Sequence, residues 1–141
     1  MKKKTAMGLM APLFVAAGTM GAAEKLYKFA FHRVDEVPET SAEKQKYADQ
    51  YYHYVNWLKT QPTRNWEMEA SDRPLKLSAT YSPAAEETTN TVIVAHGYKG
   101  NGETMANDAN MFHELGFNVL LPDDRAHGHS SGEYISFGWL D

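Results

Sequence analysis

Two short stretches of the chain concentrate the residue types that carry out chemistry. The first, residues 96–102, holds a histidine and three glycines. The second, residues 123–132, holds two aspartates, an arginine, two histidines and two serines. Such residues at close spacing occur in phosphate-binding loops, around serine nucleophiles and in metal centres. Each kind of site makes its own demands on neighbouring residues, so the sequence can be tested against each.

Residues 97–104 have the spacing of the phosphate-binding loop G-x-x-x-x-G-K-[ST], with one mismatch. The position of the lysine that neutralises the β and γ phosphates is occupied by Glu103. A carboxylate there would repel a polyanion, and backbone amides alone rarely offset that inversion of charge. The sequence therefore argues against a nucleotide site.

Residues 128–132 match the nucleophile motif G-x-S-x-G around Ser130. A nucleophile elbow needs an apolar strand that runs directly into the first glycine and a helix that begins directly after the serine. Here the apolar run ends at Pro122, and no helical pattern follows Gly132. The acid and the histidine of such a triad come later in the chain, yet no histidine follows Ser130. We therefore predict that Ser130 is not a nucleophile.

A metal centre is the third interpretation, because Asp123, Asp124, His127 and His129 lie within seven residues. Imidazole and carboxylate groups suit several metals, but one loop alone does not supply a closed shell of ligands. We expect these side chains to hydrogen-bond the loop and its backbone instead. No metal and no cofactor are predicted.

The elements before each stretch predict how the two come together. Residues 91–95 are a short β-branched run typical of a buried strand, and residues 117–122 are a second apolar run. Between them, apolar residues recur at helical spacing, and Gly116 follows where a left-handed cap is expected. A strand, a helix and a strand in this order imply two parallel strands of one sheet, and ligands bind beyond the carboxyl ends of such strands.

Two further elements precede this unit. Residues 66–70 and 75–81 flank a turn at residues 71–74, and the second run alternates apolar with polar residues, which predicts an antiparallel hairpin. Upstream, Thr40 and Glu43 have the spacing of a capping box. An apolar stripe after them predicts a helix that packs through this stripe and ends before Pro62. The stripe consists of Tyr47, Tyr51, Tyr54, Val55 and Leu58.

The N-terminus has the pattern of an export or anchoring segment. Lys2, Lys3 and Lys4 precede an uncharged stretch, residues 5–23, that ends in Gly-Ala-Ala. Its length favours a membrane anchor within residues 1–25, with the lysines cytoplasmic and the remainder extracytoplasmic, at the cell membrane. The alternatives are a signal peptide, whose cleavage leaves a secreted chain, and a buried helix.

Composition sets further limits. The 141 residues are 43% hydrophobic and 23% charged, which is typical of one globular domain or part of one. A formal net charge of −4 argues against nucleic acid as a partner. Because the sequence contains no cysteine, disulfides, thiolate zinc sites and cysteine nucleophiles are excluded.

Residues 91–141 resemble the α/β-hydrolase superfamily, specifically bacterial membrane-anchored serine hydrolases with a lysine-rich N-terminal anchor. The resemblance rests on H-G-x-x-G-N from His96 and D-x-R-A-H-G-x-S-x-G from Asp123, with Ala126 in place of a glycine common in the superfamily. It implies an α/β fold: the N-terminal part of an α/β-hydrolase fold, in which an antiparallel hairpin leads into a parallel βαβ unit after a hydrophobic N-terminal helix. Residues 26–62 would then be a connector and an amphipathic helix, and residues 63–141 an incomplete hydrolase domain.

The same resemblance implies roles for single residues. The backbone N–H of Tyr98 would donate to an oxyanion hole, and residues 123–132 would be scaffold, with Ser130 not the nucleophile. The supporting motif consists of His96, Gly97, Gly100, Asp123, Arg125, His127, Gly128 and Ser130. In the family the nucleophile, the acid and the histidine come later, so we expect no nucleophile in this chain and no activity of the chain alone.

The function implied for a completed enzyme is hydrolysis of an ester, thioester or amide by acyl transfer, on a small-molecule ester or peptide-like substrate. The alternative is a non-catalytic, membrane-anchored binding domain that reuses the fold. We also expect residues 119–121, without a neighbouring strand, to form an unpaired apolar edge of the sheet.

Overall fold

The computed structural model describes residues 19–33 and 42–136. The chain forms two compact units, Met1–His32 and Arg33–Asp141. The described part of the first unit is a helix, α1, over residues 19–31. In its described residues, the second unit contains helices α2 (Ala42–Thr60) and α3 (Ala106–Glu114), a 3₁₀ turn (Gly102–Met105) and four strands.

The four strands form one mixed sheet. They are β1 (Arg64–Glu69), β2 (Lys76–Ser82), β3 (Thr91–Ile93) and β4 (Asn118–Asp123), in the order β1-β2-β4-β3. Strands β1 and β2 pair antiparallel, with Trp66 opposite Ala79, which confirms the predicted hairpin. Strand β2 continues antiparallel onto β4, with Tyr81 opposite Leu120. The hairpin therefore extends the sheet directly beside the crossover unit.

The predicted crossover is confirmed. Strands β3 and β4 pair in parallel, with Val92 opposite Val119, and α3 lies between them in the chain. Gly116 has φ 83°, and its N–H donates to the His113 carbonyl at 3.0 Å, as expected of a left-handed cap. Strand β3 ends earlier than predicted, at Ile93, although the Val94 N–H still donates to Leu120 at 2.9 Å.

The apolar stripe of α2 packs as predicted. Val55 and Leu58 are each 4% exposed and join Ala106, Ala109, Val119 and Leu121 in the core. Tyr51, Tyr54 and Trp57 pack against this cluster while partly exposed. Helix α2 ends at Thr60, before Pro62, as predicted. The capping residue proposed for it, Thr40, lies outside the described residues, as does the side chain of Tyr47.

The expectation of an unpaired edge at residues 119–121 is wrong. Strand β4 is interior, because Leu120 has Tyr81 of β2 on one side and Ile93 of β3 on the other. The expectation assumed that these residues lack a neighbouring strand, whereas β2 of the hairpin pairs with them. Exposed apolar side chains lie instead on the outer strands, where Ile93 is 65%, Met68 67% and Trp66 50% exposed.

Most of the predicted anchor, residues 5–23, lies outside the described residues. Only residues 19–23 of it fall within α1. Among the described residues, no helix combines the length and the apolar character needed to cross a membrane.

Candidate functional site

The residues singled out by the sequence follow β3 and β4, which are neighbours in the sheet. Because parallel strands end at the same edge, residues 96–102 and 123–132 meet there. Two hydrogen bonds join the two stretches: the Gly102 N–H donates to the Asp123 carboxylate, and the Asp124 N–H donates to the His96 ring. We call the first the glycine turn and the second the Asp123 loop.

The glycine turn is a tight, closed turn. The Gly100 N–H donates to the Gly97 carbonyl at 2.9 Å, and Lys99 has φ 58° at the third position, as in a type II turn. A Cβ on Gly100 would lie 2.9 Å from Thr104 Oγ1 and 3.1 Å from the Gly97 oxygen, so the turn has no room for a side chain there. Tyr98, at the second position, is 51% exposed. The turn therefore holds the Tyr98 backbone at the rim of the sheet.

A capping box that was not predicted from the sequence fixes the end of this turn. Asn101 Oδ1 accepts from the Thr104 N–H at 3.1 Å, and Thr104 Oγ1 accepts from the Asn101 N–H at 3.3 Å. The two residues bracket the start of the 3₁₀ turn Gly102–Met105. The sequence does contain the pattern, an asparagine followed three residues later by a threonine. The pattern lies within residues 97–104, the stretch that was compared with a phosphate-binding loop.

His96 links the glycine turn to the Asp123 loop. Its side chain is 1% exposed, and Nε2 accepts a hydrogen bond from the Asp124 N–H at 3.1 Å. Nδ1 lies 2.8 Å from the Gly97 carbonyl oxygen, so both contacts are satisfied by the tautomer with its proton on Nδ1. The ring also packs 4.7 Å from the ring of His127. The imidazole thus acts as a bridge between two backbones.

Asp123 makes a second link between the two stretches. It is 7% exposed; Oδ1 accepts from the Gly102 N–H at 2.7 Å, and Oδ2 accepts from the His129 N–H at 2.8 Å. Gly128, at φ 46°, packs against this carboxylate, and a Cβ there would lie 2.3 Å from Asp123 Cγ. One buried carboxylate therefore holds the start of the 3₁₀ turn and the far side of its own loop.

Ser130 is buried and bonded to backbone on both sides. It is 1% exposed; its hydroxyl donates to the Asp123 carbonyl at 2.5 Å and accepts from the Ser78 N–H at 2.9 Å. A serine nucleophile needs a base that takes its proton, and here the hydroxyl proton is directed at a carbonyl oxygen. The arrangement ties the loop to β2.

Arg125 is held by a partner that the sequence did not indicate. Its guanidinium, 4% exposed, donates to both carboxylate oxygens of Asp72, at 3.1 and 2.8 Å. Arg125 holds the pKa of the Asp72 carboxyl well below its ordinary range, and a hydrogen bond from Arg73 adds to the effect. Asp72 lies in the turn of the hairpin, which the sequence indicated only as a connection.

Arg33 is the second residue that sequence reasoning missed. Its guanidinium donates to the carbonyls of Ser130 and Gly128, each at 2.6 Å, and its N–H donates to the Glu133 carbonyl at 2.8 Å. The sequence placed Arg33 only in the connector, since a single arginine near the N-terminus carries no motif. It satisfies carbonyls that a tightly turned loop leaves outside regular secondary structure.

The candidate metal ligands make separate contacts. His127 Nδ1 faces the Arg125 carbonyl at 3.0 Å. His129, with a side chain 74% exposed, reaches Asp123 Oδ2 at 3.3 Å. Across residues 19–33 and 42–136, no three His, Asp or Glu side chains come close enough to hold a metal ion. Asp123, His127 and His129 therefore each have a hydrogen-bond partner within the Asp123 loop.

Known proteins resemble the chain over limited stretches. No protein-family model matches it. The uncharacterized protein YqkD of Bacillus subtilis (strain 168) is 38% identical over 61 residues, which are 43% of this chain and 20% of YqkD. The chain therefore matches only a fifth of the length of that relative.

Solved structures resemble it in fold. The esterase PF2001 of Pyrococcus furiosus superposes with a TM-score of 0.52 and 25% sequence identity, over 77% of this chain and 35% of the esterase. The α/β hydrolase GrgF of Penicillium sp. sh18 gives a TM-score of 0.42 and 29% identity, over 51% of this chain and 25% of GrgF. The likeness to the esterase is the stronger of the two. The mixed sheet and its helices are consistent with an α/β-hydrolase-like fold.

Proposed function

We propose that this chain supplies an N-terminal part of a serine hydrolase domain of the α/β-hydrolase type, which cleaves an ester, thioester or amide by acyl transfer. In this proposal the Tyr98 backbone N–H donates to the oxyanion hole. The observation that carries the proposal is the rigid glycine turn at the carboxyl end of β3, in a fold similar to that of an esterase. The substrate is a small-molecule ester or a peptide-like compound.

Rigidity is the property that such a donor needs. An oxyanion-hole amide lowers the barrier because it is already in place when negative charge develops, so no reorganisation is required in the transition state. Here the turn is closed by its own hydrogen bond and linked to the Asp123 loop through His96 and Gly102. Exposure of Tyr98 at the rim leaves its surroundings accessible to a substrate.

The nucleophile, the acid and the base are proposed to belong to segments that this chain does not include. Ser130 is a poor candidate for the nucleophile, because its hydroxyl is buried and directed at a backbone carbonyl. The chain alone should therefore not turn over a p-nitrophenyl ester or react with a fluorophosphonate probe. Turnover by the purified chain that disappears in Ser130→Ala would overturn this part of the proposal.

A single substitution tests the donor itself. Tyr98 stands at the second position of the turn, where proline fits a type II turn, so Tyr98→Pro removes the N–H without forcing the turn open. The variant is made in the protein extended by its downstream coding sequence. We expect kcat to fall by about 100- to 1000-fold with KM little changed. The matched control, Tyr98→Ala, keeps the N–H and should keep kcat.

The same extended protein separates the enzyme from the rival binding domain. A fluorophosphonate probe should label a serine that lies beyond residue 141 in the enzyme and no serine in a non-catalytic domain. Absence of labelling in a folded extended protein would refute the hydrolase proposal. Full activity of Tyr98→Pro would refute only the role of the turn.

We further propose that residues 5–23 anchor the chain at the cell membrane, with the remainder extracytoplasmic. The support is the lysine cluster followed by an uncharged stretch. The mass of the mature protein tests this: an anchored chain keeps residues 1–23, whereas a secreted chain lacks them.

A further inference from the structure

Arg33 holds two peptide groups of the Asp123 loop. One arm of its guanidinium, Nη2, donates to the Gly128 carbonyl, and the other, Nη1, donates to the Ser130 carbonyl, each at 2.6 Å. Hydrogen bonds from a cation are shorter and stronger than neutral ones, and the planar fork of an arginine fixes the direction of both donors. One side chain from a distant segment therefore sets the spacing and the orientation of these two carbonyls.

The Gly128 carbonyl belongs to the same planar peptide group as the His129 N–H, and in a trans peptide the two point in opposite directions. That N–H donates to Asp123 Oδ2 at 2.8 Å. The peptide group therefore lies between a cation on its oxygen side and a buried carboxylate on its nitrogen side. Away from water, each of these hydrogen bonds polarises the peptide and strengthens the other. Arg33 thus acts on the Asp123 carboxylate through this peptide group.

The second arm of Arg33 ties the loop to the sheet in the same way. The Ser130 carbonyl shares a peptide group with the Ser131 N–H, which donates to the Lys76 carbonyl at 2.7 Å. Lys76 is the first residue of β2. One arm therefore fixes the loop to β2, while the other aligns the peptide group that faces Asp123.

The Asp123 carboxylate passes this constraint on to the glycine turn. Its second oxygen, Oδ1, accepts from the Gly102 N–H at 2.7 Å, and the side chain is 7% exposed. A Cβ on Gly102 would lie 3.1 Å from the Leu121 carbonyl oxygen, so the backbone there is closely packed. Gly102 stands two residues after Gly100, whose N–H closes the turn that presents Tyr98. A continuous chain of hydrogen bonds thus leads from Arg33 to the glycine turn.

We propose that Arg33 is a positioning residue for the oxyanion-hole donor at Tyr98. It acts through the Asp123 carboxylate and the Gly102 N–H, without contact to the substrate. This role rests on the proposed function, since it gives Arg33 a part in placing the donor of that site. Such a donor is effective only where it already lies at the position of the developing charge. Loosening the chain of hydrogen bonds should therefore lower the rate more than it weakens substrate binding.

Amide hydrogen exchange in the 141-residue chain tests the mechanical link without any need for activity. Arg33→Met removes the donors and keeps an apolar stem, and Arg64→Met, at an exposed arginine that begins β1, is the matched control. We expect exchange at Gly100 and Gly102 to become about 10- to 100-fold faster in Arg33→Met, with a much smaller change at the core amide of Leu58. The control should leave all three amides unchanged. Equal acceleration at all three amides in Arg33→Met would overturn the proposal, because Arg33 would then contribute only to global stability.

Kinetics of the protein extended by its downstream coding sequence test the catalytic consequence. We expect Arg33→Met to lower kcat by about 10- to 100-fold with KM little changed, because a displacement on the order of 1 Å at the site costs about 100-fold. Arg33→Lys keeps the charge but loses the fork, so it should retain part of kcat, and it replaces Arg33→Met if that variant does not fold. In the Tyr98→Pro background, Arg33→Met should lower kcat no further, since both changes act on the same N–H.

The double variant separates this role from a general one. Losses of kcat that multiply when Arg33→Met and Tyr98→Pro are combined would overturn the proposal, because Arg33 would then act on another part of the enzyme. An unchanged kcat in Arg33→Met alone would overturn it as well. Failure of the proposed function has a different signature, because a folded extended protein with Arg33 in place would then not react with the fluorophosphonate probe.

Discussion

The contact between Gly128 and the Asp123 carboxylate gives a sharp test of how the site is held. In Gly128→Ala the new methyl group would lie 2.3 Å from Asp123 Cγ and 2.4 Å from both carboxylate oxygens. The carboxylate would have to move, although it accepts hydrogen bonds from the Gly102 and His129 N–H groups at 2.7 and 2.8 Å. The backbone at φ 46° adds a second penalty for any residue with a Cβ.

The expected loss of stability in Gly128→Ala is the sum of the backbone penalty and the cost of moving the carboxylate. Placing alanine in a left-handed conformation costs about 1–2 kcal/mol. Weakening two hydrogen bonds to a buried charged group costs about 1.5–3 kcal/mol each, so the whole change should cost about 4–8 kcal/mol. Because a small domain is stable by only about 5–15 kcal/mol, this change should remove a large part of the stability of the folded chain.

Two matched variants separate the backbone penalty from the clash with the carboxylate. Gly116 has φ 83°, but a methyl group added there would have no atom within 4 Å, so Gly116→Ala should cost only the backbone term of about 1–2 kcal/mol. Gly97 has neither a positive φ nor a close neighbour, so Gly97→Ala should leave stability almost unchanged. The assay is urea unfolding followed by circular dichroism. Equal losses for Gly128→Ala and Gly116→Ala would refute the reasoning.

Three further predictions concern single side chains. Ser130→Ala should lower the free energy of unfolding by about 1–3 kcal/mol in urea titrations, because the Ser78 N–H loses its buried acceptor; an unchanged value would contradict the structural role. Because the pKa of Asp72 is lowered in the folded chain, its carboxylate stabilises the fold above about pH 4, and this contribution is lost as the pH falls toward the folded pKa. In a profile of stability against pH, Asp72→Asn should therefore flatten the acid limb. Asp72→Glu should keep part of that limb. Residue 99 has φ 58°, a conformation that glycine adopts at a lower cost than residues with a Cβ. Lys99→Gly should therefore unfold at a higher temperature than Lys99→Ala. The reverse order would argue against a left-handed residue there.

The sequence predicted regular elements well and their lateral arrangement poorly. Periodicity located the hairpin, α2 and the crossover, because alternation and helical spacing are properties of each segment alone. It could not place β2 beside β4, since strand neighbours are set by packing between distant segments, and the expected edge at residues 119–121 was wrong for that reason.

In the candidate site, too, sequence patterns located the residues but not their distant partners. The positions of His96, Gly100 and Asp123 at the strand ends followed from motif and spacing. Their partners did not, because Asp72 and Arg33 act through hydrogen bonds to residues far along the chain, and neither lies in a recognisable pattern. The catalytic role of Tyr98 stays a prediction.

The contacts of Arg33 and Asp72 also bear on the order in which the chain folds. Arg33 meets Gly128 across 95 positions of sequence, and Asp72 meets Arg125 across 53. Contacts of such long range form late, since the intervening chain must be ordered before they repay the entropy of closing so large a loop. The hairpin and α3 can form from neighbouring residues during synthesis. We therefore expect the Asp123 loop, which both contacts hold, to be among the last parts of the unit to reach its final geometry.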